Sequence, residues 1–275
     1  TIAFVASGGA VFFSPIFIVV FPAVGSPVLS PATAFGAALL TELAGFTSGV
    51  IGYTLKRAID FKSAGLIILM GMPMAAMGAM LKKRVRPDLL AVFSGTLLFL
   101  AGYLAVHIYQ QRIRVKKGFV VDTAALRSFW LRVMDLPQEG VTAVYRVCRP
   151  VFGMLSISAG SLLTGLVSAG VGESSVVVLN ASCGFPMSTA AATSVAITVS
   201  VVLSASVTQI IVDGVSAVPW NLIVWTVPGV IIGGQIGVRV GKLIPSQTSS
   251  KVLVAILLFL SLVMAYEALK DYKVL

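Results

Sequence analysis

The sequence predicts an all-α integral membrane protein built from two related halves. Apolar residues make up 57% of its 275 positions and charged residues 11%, whereas soluble domains carry about 25% charged residues. A spanning helix needs about 20 apolar residues, and most of the uncharged runs are long enough for one. These runs cover residues 1–41, 63–81, 89–111, 150–172, 174–212, 214–238 and 252–266.

A duplication is the second observation behind this fold class. Residues 8–109 return, about 160 positions later, as residues 170–267. The stretch Gly25-Ser26-Pro27 aligns with Gly184-Phe185-Pro186, and Leu-Leu-Phe-Leu at 97–100 aligns with the same four residues at 257–260. Internal repeats in a membrane chain are typical of transporters, because two pseudo-symmetric halves can enclose a site and open it alternately.

Each repeat is predicted to contain a broken, re-entrant segment followed by three transmembrane helices. Glycines, prolines and charged residues separate these elements, since such residues interrupt or bound apolar helices. In the first repeat (1–110) they are 1–22, 31–55, 63–82 and 88–110; in the second (150–275) they are 152–182, 187–212, 219–240 and 251–268.

A basic linker, residues 111–149, joins the repeats. Asp122 is suited to begin a helix there and Pro137 to end it. The predicted helix is amphipathic and would lie on the anionic cytoplasmic surface, although a simple tether is the alternative. Its apolar stripe is Leu126, Phe129, Trp130, Val133 and Met134.

The distribution of Lys and Arg predicts the topology. With loops 56–62, 112–149 and 239–251 in the cytoplasm, 14 of the 20 basic residues lie there, and the four at 82–86 are the main exception. Segment 152–186 must then begin and end on one side of the membrane, so the two repeats are inverted. Because the basic residues cluster in loops, the net charge of +10 does not indicate a nucleic-acid partner.

Glycines inside the two broken segments suggest an anion site. Ser7-Gly8-Gly9 and the stretch 168–173 interrupt apolar runs at matching places. An unwound helix exposes backbone N–H groups at the start of the next half-helix, and these bind anions without Lys or Arg. Close helix packing is the alternative reason for the glycines. The candidate substrate-binding residues are Ser7, Gly8, Gly9, Thr33, Gly170, Gly172, Ser174, Asn180, Thr193 and Ser194.

Two acidic residues lie well inside apolar runs, Glu42 and Glu173. A carboxylate in the membrane is costly and usually has a task, so either residue could carry a proton that is coupled to anion movement. A neutral glutamic acid bonded to a neighbouring helix is the alternative. Glu173 adjoins the second glycine break, whereas the position equivalent to Glu42 in the second repeat is apolar.

The layout resembles the TauE/SafE family of sulfite and sulfonate exporters. The resemblance rests on a motif present twice: a glycine-rich run, then Gly-x-Pro, then a small-residue stretch with Thr. The second repeat carries it as Gly170-Val-Gly172, Gly184-Phe-Pro186 and Ala190-Ala-Ala-Thr193-Ser194, and the first, more loosely, as Ser7-Gly8-Gly9, Gly25-Ser-Pro27 and Pro31-Ala-Thr33.

The resemblance implies a secondary transporter of the bacterial inner membrane that exports sulfite, sulfoacetate or a related anion by alternating access. Protons are the expected coupling ion, and no cofactor or metal is expected. A passive anion channel, or a permease for another small anion such as thiosulfate, is the alternative. An intramembrane enzyme is disfavoured, because the chain has one histidine and no lysine was expected in its interior.

Overall fold

A computed structural model describes residues 10–25, 28–85, 88–116, 131–136, 141–146, 151–181, 183, 185–240 and 246–274. The first half contains helix α1 (Ala10–Pro15), a π-helix (Ile16–Val20), α2 (Phe21–Ala23), α3 (Pro31–Leu55), α4 (Phe61–Leu81) and α5 (Leu89–Lys116). Strands β1 (Leu131–Leu136) and β2 (Val141–Arg146) follow. The second half contains α6 (Val151–Val167), α7 (Val171–Ala181), α8 (Met187–Asp213), a 3-10 turn (Val215–Ala217), α9 (Trp220–Val240) and α10 (Ser246–Val274).

The predicted all-α membrane class is confirmed. In the described residues, five helices are long and apolar enough to cross a membrane, namely Pro31–Leu55, Phe61–Leu81, Leu89–Val106, Ser188–Asp213 and Lys251–Lys270. Shorter apolar helices cover Val11–Ala23, Gly153–Val167 and Trp220–Ile236. The first nine residues of the predicted broken segment 1–22 lie outside the described residues.

Local residue chemistry explains where these helices begin and end. Ser30 caps α3 by accepting a hydrogen bond from the Thr33 N–H, with Pro31 at the first helical position, where its fixed φ suits a helix start. Asp60 caps α4 by accepting from the Lys62 N–H. Helix α8 ends at Gly214, whose φ of 85° favours glycine over any other residue.

The prediction of an amphipathic helix in the linker is wrong for residues 131–136. These residues form strand β1, which pairs antiparallel with β2, Leu131 opposite Arg146 and Leu136 opposite Val141. In the sequence, Pro137 and Gly140 lie between the two strands, and both residue types disfavour a continuing helix. Val133 and Met134 therefore belong to a strand, while Leu126, Phe129 and Trp130 lie outside the described residues.

Helices α3 and α8 cross antiparallel at the centre of the molecule. The start of α3 meets the end of α8, where Gly36 lies against Gln209, and further along Gly49 lies against Val195. The crossing is therefore near Glu42, opposite Val202. Since these helices occupy equivalent places in the two predicted repeats, an inverted duplication requires this antiparallel arrangement.

Each central helix also packs beside the following helix of the other half. Helix α3 runs parallel to α9, with Thr41 bonded to Thr226 and Ser48 bonded to Gln235. Helix α8 runs parallel to α4, with Ser204 donating to the Met72 carbonyl. Exchanging the two predicted halves would turn the α3–α9 contact into the α8–α4 contact. Helix α5 packs against α10, which ends the other half.

Helix α6 and the shorter α7 form a hairpin. Gly160 on α6 lies against Gly170 and Ser174, while Thr164, one turn later, meets the start of α7. The 11 residues of α7 extend about 16 Å, which is too short to cross a hydrocarbon core of about 30 Å. The segment thus enters as one helix and turns back as a shorter one.

Candidate functional site

The chain breaks between α6 and α7 at residues 168–170, inside the segment where the glycines predicted an interruption. Ser168 has φ of 63° and Gly170 has φ of 133°, and a Cβ at Gly170 would lie 2.8 Å from the Gly160 carbonyl oxygen. Glycine at 170 is thus needed both for its backbone conformation and for close packing. The packing alternative therefore accounts for Gly170, whatever else it does.

Two hydroxyl groups fix this break. Ser168 Oγ donates a hydrogen bond of 2.7 Å to the Phe35 carbonyl of α3. The Val171 N–H, the first of α7, donates to Thr164 Oγ1 at 2.9 Å. The break is therefore held both to the helix before it and to the other half of the protein.

The first turn of α7 brings five of the predicted residues together. Glu173 lies there and is 2% exposed. Ser194 Oγ, from α8, donates to the Gly172 carbonyl at 3.1 Å, and Ser174 Oγ donates to the Val171 carbonyl. Gly170, Gly172, Glu173, Ser174 and Ser194 thus form a buried group of backbone, hydroxyl and carboxyl groups at a helix N-terminus, where negative charge is stabilised.

Thr33 and Thr193, which the repeat makes equivalent, do not meet. Thr33 Oγ1 lies 2.8 Å from Ser30 Oγ at the start of α3 and lines an open cavity. Thr193 is fully buried at the other end of the α3–α8 pair, where its Oγ1 accepts a 3.1 Å hydrogen bond from the Asp60 N–H. The prediction placed both threonines near one centre, whereas they lie at opposite ends.

Of the remaining candidates, Asn180 braces a turn and Glu42 lies in the core. Asn180 Nδ2 donates to the Phe185 carbonyl at 2.9 Å across the connection between α7 and α8. Glu42 is 3% exposed in the middle of α3, at the crossing with α8. Ser7, Gly8 and Gly9 lie outside the described residues.

The first broken segment carries a feature that the sequence interpretation missed. A π-helix covers Ile16–Val20, directly after Pro15. Ser14 is fully buried, and its hydroxyl has no hydrogen-bond partner in the described part of the chain. Pro15 inside an apolar run was the available signal, and π-turns often occur at functional sites.

A cavity of about 300 Å³ opens at the start of α3 and the end of α8. Its lining residues are Ser30, Pro31, Ala32, Thr33, Gln209, Asp213 and Ala217. Gln209 and Asp213 are four residues apart and therefore share one face of α8. Both are polar residues near the end of an apolar stretch, which was the signal in the sequence for a polar site here.

Two lysines of the 82–86 loop fasten the end of α4 to this wall of the cavity. Lys82 is 2% exposed, and its Nζ donates to Gln209 Oε1 at 3.3 Å. Lys83 Nζ donates to the Val212 carbonyl at 2.7 Å and lies 3.5 Å from Asp213. The expectation of no interior lysine is thus wrong, because the apolar helices α4 and α8 end at the same level and enclose Lys82.

Comparison with known proteins supplies the family. The sequence model of the family described as Sulfite exporter TauE/SafE matches residues 2–264, nearly the whole chain. No curated protein and no solved structure matches this chain. The match spans the α6–α7 break, the α3–α8 crossing and both repeats, so the chain belongs to the sulfite exporter TauE/SafE family.

Proposed function

We propose that the protein exports sulfite, sulfoacetate or a related small sulfur-containing anion by alternating access around a site at the first turn of α7. Family membership supports an anion transporter in a membrane. The observation that carries alternating access is the different surroundings of Thr33 and Thr193. One faces an open cavity and the other is sealed by a hydrogen bond to Asp60.

Inverted repeats give this difference a direct meaning. When two halves are related by inversion, equivalent positions exchange surroundings as the site turns from one side of the membrane to the other. The structure then corresponds to a state open at the Thr33 end and closed at the Thr193 end. Under the predicted topology the open end faces away from the cytoplasm, so this is the state that releases an exported anion.

The polar groups of the α7 site are neutral. The hydroxyls of Ser174 and Ser194 donate to backbone carbonyls in this structure, and a bound anion would take the place of these carbonyls next to the N-terminal backbone of a buried helix. A partial positive charge of about half a unit is expected at such a terminus. Neutral donors of this kind bind an oxyanion more weakly than a cage of lysines, which suits a carrier.

Glu173 provides a means to couple the anion to a proton. An anion at the first turn of α7 would lie beside this buried carboxyl group. Two unit negative charges about 5 Å apart repel by about 3 kcal/mol at an effective dielectric of 20. Binding of the anion would therefore favour protonation of Glu173, and the proton and the anion would move together.

Flux measurements in proteoliposomes test this proposal. Purified protein would be reconstituted and offered sulfite, sulfoacetate, taurine, thiosulfate and chloride, with and without a pH gradient. A carrier accelerates the exchange of labelled sulfite when unlabelled sulfite is present on the opposite side, whereas a channel does not. Absence of flux for every sulfur anion would refute the proposal, and flux without such acceleration would replace the carrier by a passive channel.

A further inference from the structure

The cavity at the start of α3 has the features of an anion site distinct from the one at α7. Its volume of about 300 Å³ is far above the 10 to 15 Å³ or so that a single water molecule needs. Thr33 and Ser30 supply hydroxyl groups, and Gln209 supplies an amide. The opening also lies at the N-terminus of α3, a helix of 25 residues.

The charges around this cavity favour anions. Lys82 and Lys83 contact its α8 wall, where Asp213 is the acidic lining residue. Lys83 is paired with Asp213 at 3.5 Å, and Lys82 is 2% exposed, so water and salt screen its charge far less than that of a surface lysine.

Lys82 also orients the amide of Gln209. Its ammonium group donates to Gln209 Oε1, which leaves the NH₂ group of the same amide, a donor of two hydrogen bonds, on the other side. That nitrogen lies against Gly36, where any side chain would overlap with it. The lysine and the glycine therefore hold the amide with its donor end against α3, one turn after the α3 residues that line the cavity with Gln209.

We propose that this cavity is a second anion-binding site, in which a small oxyanion is held by Gln209 and Thr33 while the buried ammonium group of Lys82 supplies the attraction. The inference rests on the proposed function for the identity of the anion, whereas the existence of the site is independent of the proposed function. Lys82 acts here through Gln209 and through its charge, and so is a positioning residue.

Quenching of tryptophan fluorescence tests the site without any transport. Trp220 lies three residues after the cavity residue Ala217, and its indole N–H donates to the Val215 carbonyl in the turn that borders the cavity. With Trp130 and Trp225 replaced by Phe, it becomes the sole reporter. Iodide is the anionic quencher, acrylamide the neutral one, and the protein is held in nanodiscs of zwitterionic lipid.

Four variants separate the charge of Lys82 from its packing. Lys82→Gln should lower the iodide quenching constant about threefold or more and leave acrylamide quenching unchanged. Gln209→Glu has the same shape and adds a carboxylate opposite the ammonium group. It should lower iodide quenching equally, and it serves as the test if Lys82→Gln fails to fold. Lys82→Arg keeps the charge and should stay near the unmodified protein. Lys62→Gln, on an exposed residue at the opposite end of α4, removes a matched charge about 30 Å away and should change nothing.

Competition by sulfite completes the test. Sulfite should relieve iodide quenching in the protein with Lys82, and should need about tenfold more to do so in Gln209→Glu. Equal iodide quenching in Lys82→Gln, Gln209→Glu and the parent would overturn the site, as would a loss in Lys82→Arg as large as in Lys82→Gln. A protein that shows this competition but moves no sulfite in proteoliposomes keeps the site and loses the proposed function. One that moves sulfite with no dependence of quenching on Lys82 keeps the function and loses the site.

Discussion

The hydrogen bond between Thr193 and Asp60 is expected to hold the closed end of the α3–α8 pair together. Thr193 Oγ1 accepts the Asp60 N–H at 3.1 Å, and the two residues are 0% and 3% exposed. Thr193→Val keeps the shape of the side chain and removes the acceptor. A buried donor that loses its partner costs about 1 to 3 kcal/mol, and each 1.4 kcal/mol changes an equilibrium constant about tenfold.

Hydrogen exchange at the Asp60 amide measures this cost at the bond itself. In Thr193→Val, peptides that contain residues 58–63 should exchange about five- to tenfold faster or more, because opening of this end becomes easier. Thr33→Val is the matched control, since it alters the equivalent position at the open end. The cap of α3 is made by Ser30 Oγ and the Thr33 backbone N–H, so it survives the loss of the Thr33 hydroxyl, and exchange at Asp60 should stay as in the parent.

Two results would refute the reasoning. Unchanged exchange at residues 58–63 in Thr193→Val would mean that the bond does not limit opening there. Equal acceleration in Thr33→Val would mean that the two ends are not distinguished by this hydrogen bond. If the acceleration is found, the balance between the states shifts towards opening at the Thr193 end, and the maximal rate of sulfite exchange should change by a comparable factor.

Three further variants test other parts of the account. In proteoliposomes, Glu173→Gln should lower sulfite flux driven by a pH gradient at least about tenfold, while anion exchange stays within about threefold of the parent rate. An equal loss of flux and exchange would instead make Glu173 a direct ligand of the anion. Gly165→Ala should reduce stability by about 1 to 3 kcal/mol, because its Cβ would overlap with the Ala75 carbonyl oxygen, and an unchanged melting temperature in detergent would contradict the close packing of α4 and α6. Ser168→Ala should cost about 1 kcal/mol by removing the bond to the Phe35 carbonyl, visible as faster hydrogen exchange at residues 166–171 and refuted by unaltered exchange.

The membrane helices could be predicted closely because the physics that decides them is local. A long apolar run in a bilayer is expected to be helical, since a helix bonds its backbone polar groups within its own segment. The predicted helix 31–55 has the bounds of α3, and the predicted 187–212 differs from α8 by one residue. The break at Gly170 could also be predicted from local sequence, because its φ of 133° favours glycine over other residues.

The linker and the interior lysine could not be predicted in this way. The apolar residues after Asp122 are compatible with a helical stripe, but residues 131–136 pair with a strand ten residues away, which the spacing of one segment cannot reveal. Lys82 follows directly on an apolar run and reads as a loop cation. Its burial depends on where Gln209 lies, 127 residues further along the chain.

The separation of Thr33 from Thr193 was not expected, because the sequence analysis took equivalent positions in the two repeats to lie near one centre. In an inverted pair of helices, equivalent residues meet only near the crossing point and lie at opposite ends elsewhere. The contacts of Gly36 with Gln209 and of Gly49 with Val195 place that point near Glu42. Equivalent positions nine residues earlier in each helix are therefore far apart, although they correspond in the alignment.

The burial of Lys82 also bears on the topology of the chain. The 82–86 loop was the main exception to the rule that basic residues stay in the cytoplasm. Two of these four residues have partners inside the protein: Gln209 for Lys82, and Asp213 with the Val212 carbonyl for Lys83. These bonds give the two lysines a structural role at the end of α4, and the topology in which α3 begins on the side away from the cytoplasm stays a prediction.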